Sequence, residues 1–176
     1  MIAILDFGSQ YTKIIARKIR ESNVYCEVFK HTISLKELQS QNVRGIILSG
    51  GPKSVFEKNS PTCDEAIFSS NIPLFGICYG MQLIAKHFGG EITKGKSKEY
   101  GHANLFIDNN FDLFEGLWLE MNIWMSHGDS VIRMPDQFQR LGHTDSCSIA
   151  AMSHQKKKIF AVQFHPEVSH TPRGKD

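Results

Sequence analysis

Residues 73–88 read PLFGICYGMQLIAKHF, from Pro73 to Phe88, and the fold follows from how this stretch is parsed. A short apolar run, Pro73-Leu74-Phe75, leads into Gly76-Ile77-Cys78-Tyr79-Gly80. Met81, Leu83, Ile84 and Phe88 then recur at helical spacing, which predicts a strand, an abrupt turn and a helix. Glycines two residues either side of one reactive side chain are what a nucleophile elbow requires. Side chains at 76 and 80 would clash where strand and helix nearly touch. The turn also sets Cys78 at a helix N-terminus, where the dipole and free N–H groups favour a thiolate. A buried structural cysteine beside two loop glycines fits the pentapeptide too, and the rest of the chain has to decide between the two.

A chain of 176 residues is most simply one domain and is long enough to bury a core without disulfides or metal. Apolar residues make up 41% and charged residues 22%, ordinary for a globular protein, and a net charge of +2 gives no case for nucleic acid. The one dense basic run, Lys156-Lys157-Lys158, reads as a solvated hairpin tip. Cys26, Cys63, Cys78 and Cys147 are scattered, with no CxxC and no paired spacing to histidine, which argues against zinc and for a reducing compartment. The N-terminal apolar run is too short for a signal peptide or a membrane span, so a cytoplasmic location is expected.

Upstream of residue 73, strands and helices alternate. Ile2 to Leu5 reads as a strand buried on both faces, and Asp6-Phe7-Gly8-Ser9-Gln10 as a turn with Ser9 capping a helix that runs to about Ser22. Asp6-Phe7-Gly8 matches a kinase magnesium motif in letters only, since no glycine-rich phosphate loop precedes it and no HRD follows. Val24 to Phe29 reads as a strand, Ser34 to Ser40 as a helix capped by Ser34, Gly45 to Leu48 as a strand and Thr62 to Ser70 as a helix. Ser49-Gly50-Gly51-Pro52-Lys53-Ser54 ends the third strand, where backbone N–H groups can face a ligand. The same segment resembles the phosphate loop of ATP pyrophosphatases, but Pro52 removes a donor and Lys53 stands where that loop has Asp, so it argues against ATP. After Gly89-Gly90 the chain turns to strand-like runs: 100–107, 121–125, 139–143, 148–152 and 159–164. The alternating first half predicts an α/β domain with a mixed, mostly parallel sheet, the second half adding antiparallel strands at one edge.

The last strand ends in Phe164-His165-Pro166-Glu167. His165 and Glu167 share a face in extended backbone, and Pro166 biases His165 to that conformation. A cysteine nucleophile needs a base, and an imidazole needs a carboxylate to hold its tautomer. Cys78, His165 and Glu167 supply those three roles from the ends of two buried strands, a grouping that favours the elbow over a structural cysteine.

The set Gly76-x-Cys78-x-Gly80-x-Gln82 with His165-Pro166-Glu167 far downstream resembles the class I (triad) glutamine amidotransferases. Asp6-Phe7-Gly8-Ser9-Gln10-Tyr11, Trp124-Met125-Ser126-His127-Gly128-Asp129 and Phe164 to Thr171 are more particular, and are similar to the glutaminase domains of GMP synthases. The likeness covers residues 2 to about 174. It implies a flavodoxin-like fold around a seven-stranded sheet, the triad Cys78, His165 and Glu167, and an oxyanion hole from the backbone N–H groups of Gly51 and Tyr79. It also implies that glutamine is held near Gln82 and Ser126-His127-Gly128, the latter a loop after a strand. A final helix after Gly174 is implied as well, and the sequence ends at Asp176, so uncovered apolar surface is expected there.

The chemistry implied is hydrolysis of glutamine to glutamate and ammonia through a cysteine thioester. It needs no metal or organic cofactor in this chain, ATP and magnesium being expected only on a partner. That partner is the ATP pyrophosphatase unit that aminates XMP, as a separate subunit or the remainder of a longer chain. Three other readings are weaker. An α/β-hydrolase places its acid before its histidine, the reverse of His165 and Glu167. An anthranilate synthase amidotransferase would not carry Gly8-Ser9-Gln10-Tyr11 or His170-Thr171. A non-enzymatic subunit would usually have lost Cys78 or His165.

Overall fold

The computed structural model describes the backbone of residues 1–176 and all side chains except those of residues 95–98 and 112. Strand β1 (Ile2–Asp6), helix α1 (Thr12–Glu21), strand β2 (Cys26–Lys30), helix α2 (Leu35–Ser40) and strand β3 (Gly45–Leu48) follow in order. Then come helix α3 (Ala66–Ser69), strand β4 (Leu74–Ile77) and helix α4 (Tyr79–His87). Five strands complete the chain: β5 (Glu91–Ile107), β6 (Glu120–Arg133), β7 (Phe138–His143), β8 (Ala151–His154) and β9 (Ile159–Val162). They form one nine-stranded sheet in the order β2-β1-β3-β4-β9-β8-β7-β5-β6.

The order 2-1-3-4 followed by the last strand is that of flavodoxin-like folds, the fold that the resemblance implies. Two expectations need correction. The sheet has nine strands rather than seven, and it is not mostly parallel. The pairings β1–β2, β1–β3, β3–β4 and β4–β9 are parallel, whereas β8–β9, β7–β8, β5–β7 and β5–β6 are antiparallel. A parallel return needs a crossover of about a dozen residues or more, and the links after β6 are too short to hold one. The hairpin β5–β6 is also longer than the periodicity predicts, and it absorbs Ser126 to Asp129 into a strand.

Helices cover both faces. Met81, Ile84 and Ala85 of α4 pack with Leu38, Ile67 and Phe68 on one face, while Ile15 and Ala16 of α1 pack with Ile4, Ile77 and Val162 on the other. Ser34 caps α2 with a full capping box to Glu37. Ser9 does not cap α1: the helix begins at Thr12, and the Ser9 hydroxyl accepts from the Tyr11 N–H at 3.1 Å in the preceding turn. Helix α3 is shorter than the sequence suggests, with 62–65 outside it. Lys156 to Lys158 are exposed at the β8–β9 turn, as expected. A mostly apolar groove of 170 Å³ opens between Phe75, Leu117, Met121, Phe164 and the turn at 174–176. Among the described residues, no helix is long and apolar enough to cross a membrane.

What the fold does for the site is to gather loop ends. The carboxyl ends of β1, β3, β4 and β9 lie along one edge, and the strand order reverses between β1 and β3. Open α/β sheets bind ligands at such a switch point. The loops at 8–11 and 51–54 both line a cavity there, together with Cys78 and His165.

Candidate active site

Cys78 joins β4 to α4 with φ +51° and ψ −102°, a conformation that L-residues seldom adopt. The flanking glycines explain how the turn closes. A Cβ on Gly80 would lie 2.4 Å from the Leu48 carbonyl oxygen of β3, and one on Gly76 would lie 2.7 Å from the Gly80 carbonyl carbon. The backbone of Cys78 is held by its N–H donating to the Val162 carbonyl at 2.8 Å. The strand-turn-helix read from the sequence is therefore an elbow, and its cysteine is 5% exposed in the cavity wall.

His165 follows β9 on the neighbouring strand. Its Nδ1 is 2.8 Å from Glu167 Oε1, so the ring donates to the carboxylate from Nδ1. Its main chain is fixed twice: its N–H donates to the Trp124 carbonyl at 3.0 Å, and its carbonyl accepts from the Thr171 hydroxyl at 2.7 Å. Tyr11 sets its ring edge against the imidazole at 5.0 Å. Burial opposes charge on this ring, but the Cys78 sulfur and the Glu167 carboxylate outweigh it and hold His165 up to about 10. These two partners thus favour the charged form of the ring. Burial pushes the Cys63 thiol up to about 12 and the Cys147 thiol up to about 11.

Gly51 and Tyr79 both line the cavity, and among the described residues neither N–H donates to a protein acceptor. A Cβ on Gly51 would meet the Phe7 carbonyl oxygen at 2.9 Å, and one on Gly50 would meet His165 Cε1 at 3.1 Å. Any side chain at 50 or 51 would therefore push this turn away from the imidazole and from β1.

The cavity encloses 630 Å³. Gln82, Ser126, His127 and Gly128 line it, whereas Glu167 stands behind His165 and does not. Ser126 accepts a 3.6 Å contact from Cys78 Sγ at its carbonyl oxygen. Gln82 is 3% exposed, and its Nε2 donates to the Asp129 carbonyl at 2.8 Å. Burial holds the His127 ring below the ordinary imidazole range, although Glu99 Oε2 lies 3.0 Å from its Nε2. Lys53 and Ser54 of the turn after β3 join the lining, with two residues that the sequence does not mark, Glu57 and Tyr100. Ser54 donates to the Asp129 carboxylate, and Lys53 pairs with Glu57 at 3.0 Å. Gln163, fully buried, reaches the site from the end of β9 and places Nε2 3.5 Å from Cys78 Sγ. A signal for it exists in the sequence: a lone amide in the otherwise apolar run from Ile159 to Phe164. No group of three or more His, Cys, Asp or Glu able to hold a metal occurs among the described residues.

The family model for class-I glutamine amidotransferases matches residues 3–176. The chain belongs to the class-I glutamine amidotransferase family. This amidotransferase is 50% identical, over 99% of its length, to the GMP synthase [glutamine-hydrolyzing] of Bacillus cytotoxicus, of which it covers 34%. It is 52% identical, over 98% of its length, to that of Prochlorococcus marinus, covering 33%. The chain thus spans about a third of the curated relatives it matches. A solved structure described as a candidate GMP synthase subunit from Thermoplasma acidophilum superposes with a TM-score of 0.89 at 33% identity, covering 99% of this chain and 87% of that one. A glutamine amidotransferase from Thermotoga maritima, at 20% identity and a TM-score of 0.75, shares the fold; it covers 95% of this chain and 76% of that one.

Proposed function

We propose that this amidotransferase hydrolyses glutamine and passes the ammonia to an ATP-dependent unit that converts XMP to GMP. The observation that carries the reading is the strained Cys78 elbow facing a buried His165–Glu167 pair, in a chain half identical to GMP synthases. Cys78 attacks the side-chain amide carbon of glutamine. The N–H groups of Gly51 and Tyr79 receive the oxyanion, which is the most demanding charge in the reaction. His165, already protonated, gives its proton to the departing ammonia and then takes one from water as the thioester is cleaved. Glu167 holds the imidazole and stabilises its cation without touching the substrate.

Substrate recognition falls to the opposite wall. Gln82, Ser126, His127 and Gly128 shape the slot for glutamine, and the Asp129 carboxylate, steadied by Ser54, offers a partner for the α-ammonium group. No cofactor is assigned to this chain. ATP and magnesium belong to the partner unit, either a separate subunit or the rest of a longer polypeptide. The free thiols Cys26, Cys63, Cys78 and Cys147 support a cytoplasmic setting.

The test is glutamate release by the chain alone and with an XMP-aminating unit, ATP and XMP. Alone it should turn over slowly and make no GMP. With the unit it should speed up well beyond the basal rate, because small shifts of the Gly51 turn change the oxyanion donors and about 1 Å can cost ~10²-fold. High turnover alone, indifferent to the unit and its ligands, would overturn the partner-coupled reading.

A further inference from the structure

Of the buried polar side chains that the mechanism leaves unused, Gln163 reaches the Cys78 sulfur. Gln163 is fully buried just past the end of β9, two residues before His165, and an amide placed there without partners would be strongly unfavourable. Its partners form a chain whose polarity can be worked out. The Asp129 carbonyl can only accept, so the Gln82 amide turns its NH2 toward it at 2.8 Å. The second N–H of that same Gln82 Nε2 faces Gln163 at 3.5 Å, so Gln163 must present Oε1 there. An amide has one oxygen and one NH2, so the other end of Gln163 is a donor, and it stands 3.5 Å from Cys78 Sγ. A backbone carbonyl on β6 therefore dictates, through two glutamines, that a hydrogen-bond donor meets the sulfur.

We propose that Gln163 is a thiolate-positioning residue: its Nε2 donates to Cys78 Sγ and favours the charged, attacking form of the sulfur. A thiolate is a far better acceptor than a thiol, so a fixed donor in a buried site stabilises the charged form over the neutral one. The placement of the donor is rigid. The Gln163 N–H donates to the Ala150 carbonyl and the Cys78 N–H to the Val162 carbonyl, each at 2.8 Å, which locks the two backbones side by side. Gln163 does not line the cavity, so substrate does not displace it, and the donor persists through both half-reactions.

Other groups around the sulfur titrate, and the test has to separate them. His165 with Glu167 behind it continues from β9, and His127 and Asp129 face from β6 with Glu99 beside His127 on β5. Tyr11 comes from the loop after β1, Tyr79 from α4, and Lys53 and Glu57 from beyond Gly51. Gln163 itself does not titrate, so replacing it changes the sulfur's surroundings without removing any of these groups.

The inference rests on Cys78 being the nucleophile, and one experiment distinguishes the two. Alkylation of the whole chain by iodoacetamide is followed from about pH 5 to about pH 10, with peptide mapping to assign the labelled thiol. Gln163→Glu keeps the shape but turns an oxygen toward the sulfur, and Gln163→Met removes the donor without adding charge. The pH at half-maximal labelling of Cys78 should rise by about one unit or more in Gln163→Glu and by less in Gln163→Met, with the high-pH plateau kept within several-fold. A denaturant midpoint for each variant separates this from loss of packing. Unmoved labelling midpoints in folded variants overturn the role of Gln163 while leaving Cys78 as nucleophile. A parent chain labelled at Cys26, Cys63 or Cys147 instead of Cys78 overturns both.

Discussion

The two halves of the sheet do different work. The parallel half, β2-β1-β3-β4-β9, delivers chain ends: the Gly50-Gly51 turn, the Cys78 elbow and His165 all sit where a strand stops. The antiparallel half delivers a strand's flank, since Ser126 to Asp129 lie within β6, where Asp129 pairs with Lys94, His127 with Glu99 and Ser126 with Tyr100 of β5. Chain ends present backbone N–H groups and a strained nucleophile. A strand flank presents side chains and the carbonyls that its ladder leaves free, as Asp129 does to Gln82. In the proposed function the parallel half carries the chemistry and the antiparallel half recognition, and the pair Gln82 and Gln163 links them.

That division breaks if the chemistry does not map to the parallel half. His165→Ala should lower kcat by ~10²–10⁴, because one group moves protons in both half-reactions. Glu167→Ala should cost less, since the carboxylate acts only through the ring. Turnover measured on both variants, with folding checked separately, decides it, and a larger loss at Glu167 would reverse the assigned roles.

The packing of the two halves differs as well. Gly80→Ala drives a Cβ to 2.4 Å from the Leu48 carbonyl and should cost about 3 kcal/mol or more of stability, with loss of the elbow. Gly116, between β5 and β6, has φ +77° and nothing within 4 Å of a new Cβ. Gly116→Ala should therefore cost only the left-handed backbone, about 1 kcal/mol. Urea midpoints compare them, and equal losses would mean that the strand–helix contact is not the tight element.

Recognition should show in KM. Asp129→Asn should raise KM for glutamine on the order of tenfold and leave kcat within a few-fold, because the α-ammonium is bound equally before and during reaction. A fall in kcat at constant KM would move Asp129 from the recognising wall to the reacting one.

A further expected effect is on stability against pH. His165 held up to about 10 binds its proton more tightly folded than unfolded, where an imidazole titrates near 6.5. Its contribution is fully present below the unfolded value and is lost as pH rises through the folded one. Denaturation midpoints should fall between those limits more in the parent than in His165→Asn. Parallel profiles for the two would show that the ring is not held as a cation.

Much of the parallel half is legible in the sequence because its signals are local. The elbow needs glycine at 76 and 80 by contact with atoms a few residues or one strand away, and Ser34 with Glu37 writes a capping box within four positions. His165 and Glu167 meet at 2.8 Å because extended backbone puts alternate residues on one face. Where local signals mislead, a local competitor is the reason. Ser9 is a fair cap by type, but the turn spends its hydroxyl on Tyr11 before the helix starts. Thr62 and Cys63 lie outside α3, beyond the buried pair Ile67 and Phe68 that anchors it.

By itself, then, the amino-acid sequence determined the elbow and the pairing of His165 with Glu167 from residues close in the chain, and its motifs carried the resemblance to the family and with it the flavodoxin-like fold. Only the tertiary structure decided the balance of parallel and antiparallel pairing, the strand character of Ser126 to Asp129, and the meeting of Gln163 with Cys78 across a separation of 85 residues. Short links allow several sheet registers, and hydrogen-bond polarity passes from one side chain to the next only when they are packed together. Neither property is carried by any one stretch of sequence, so both wait for the sheet to close.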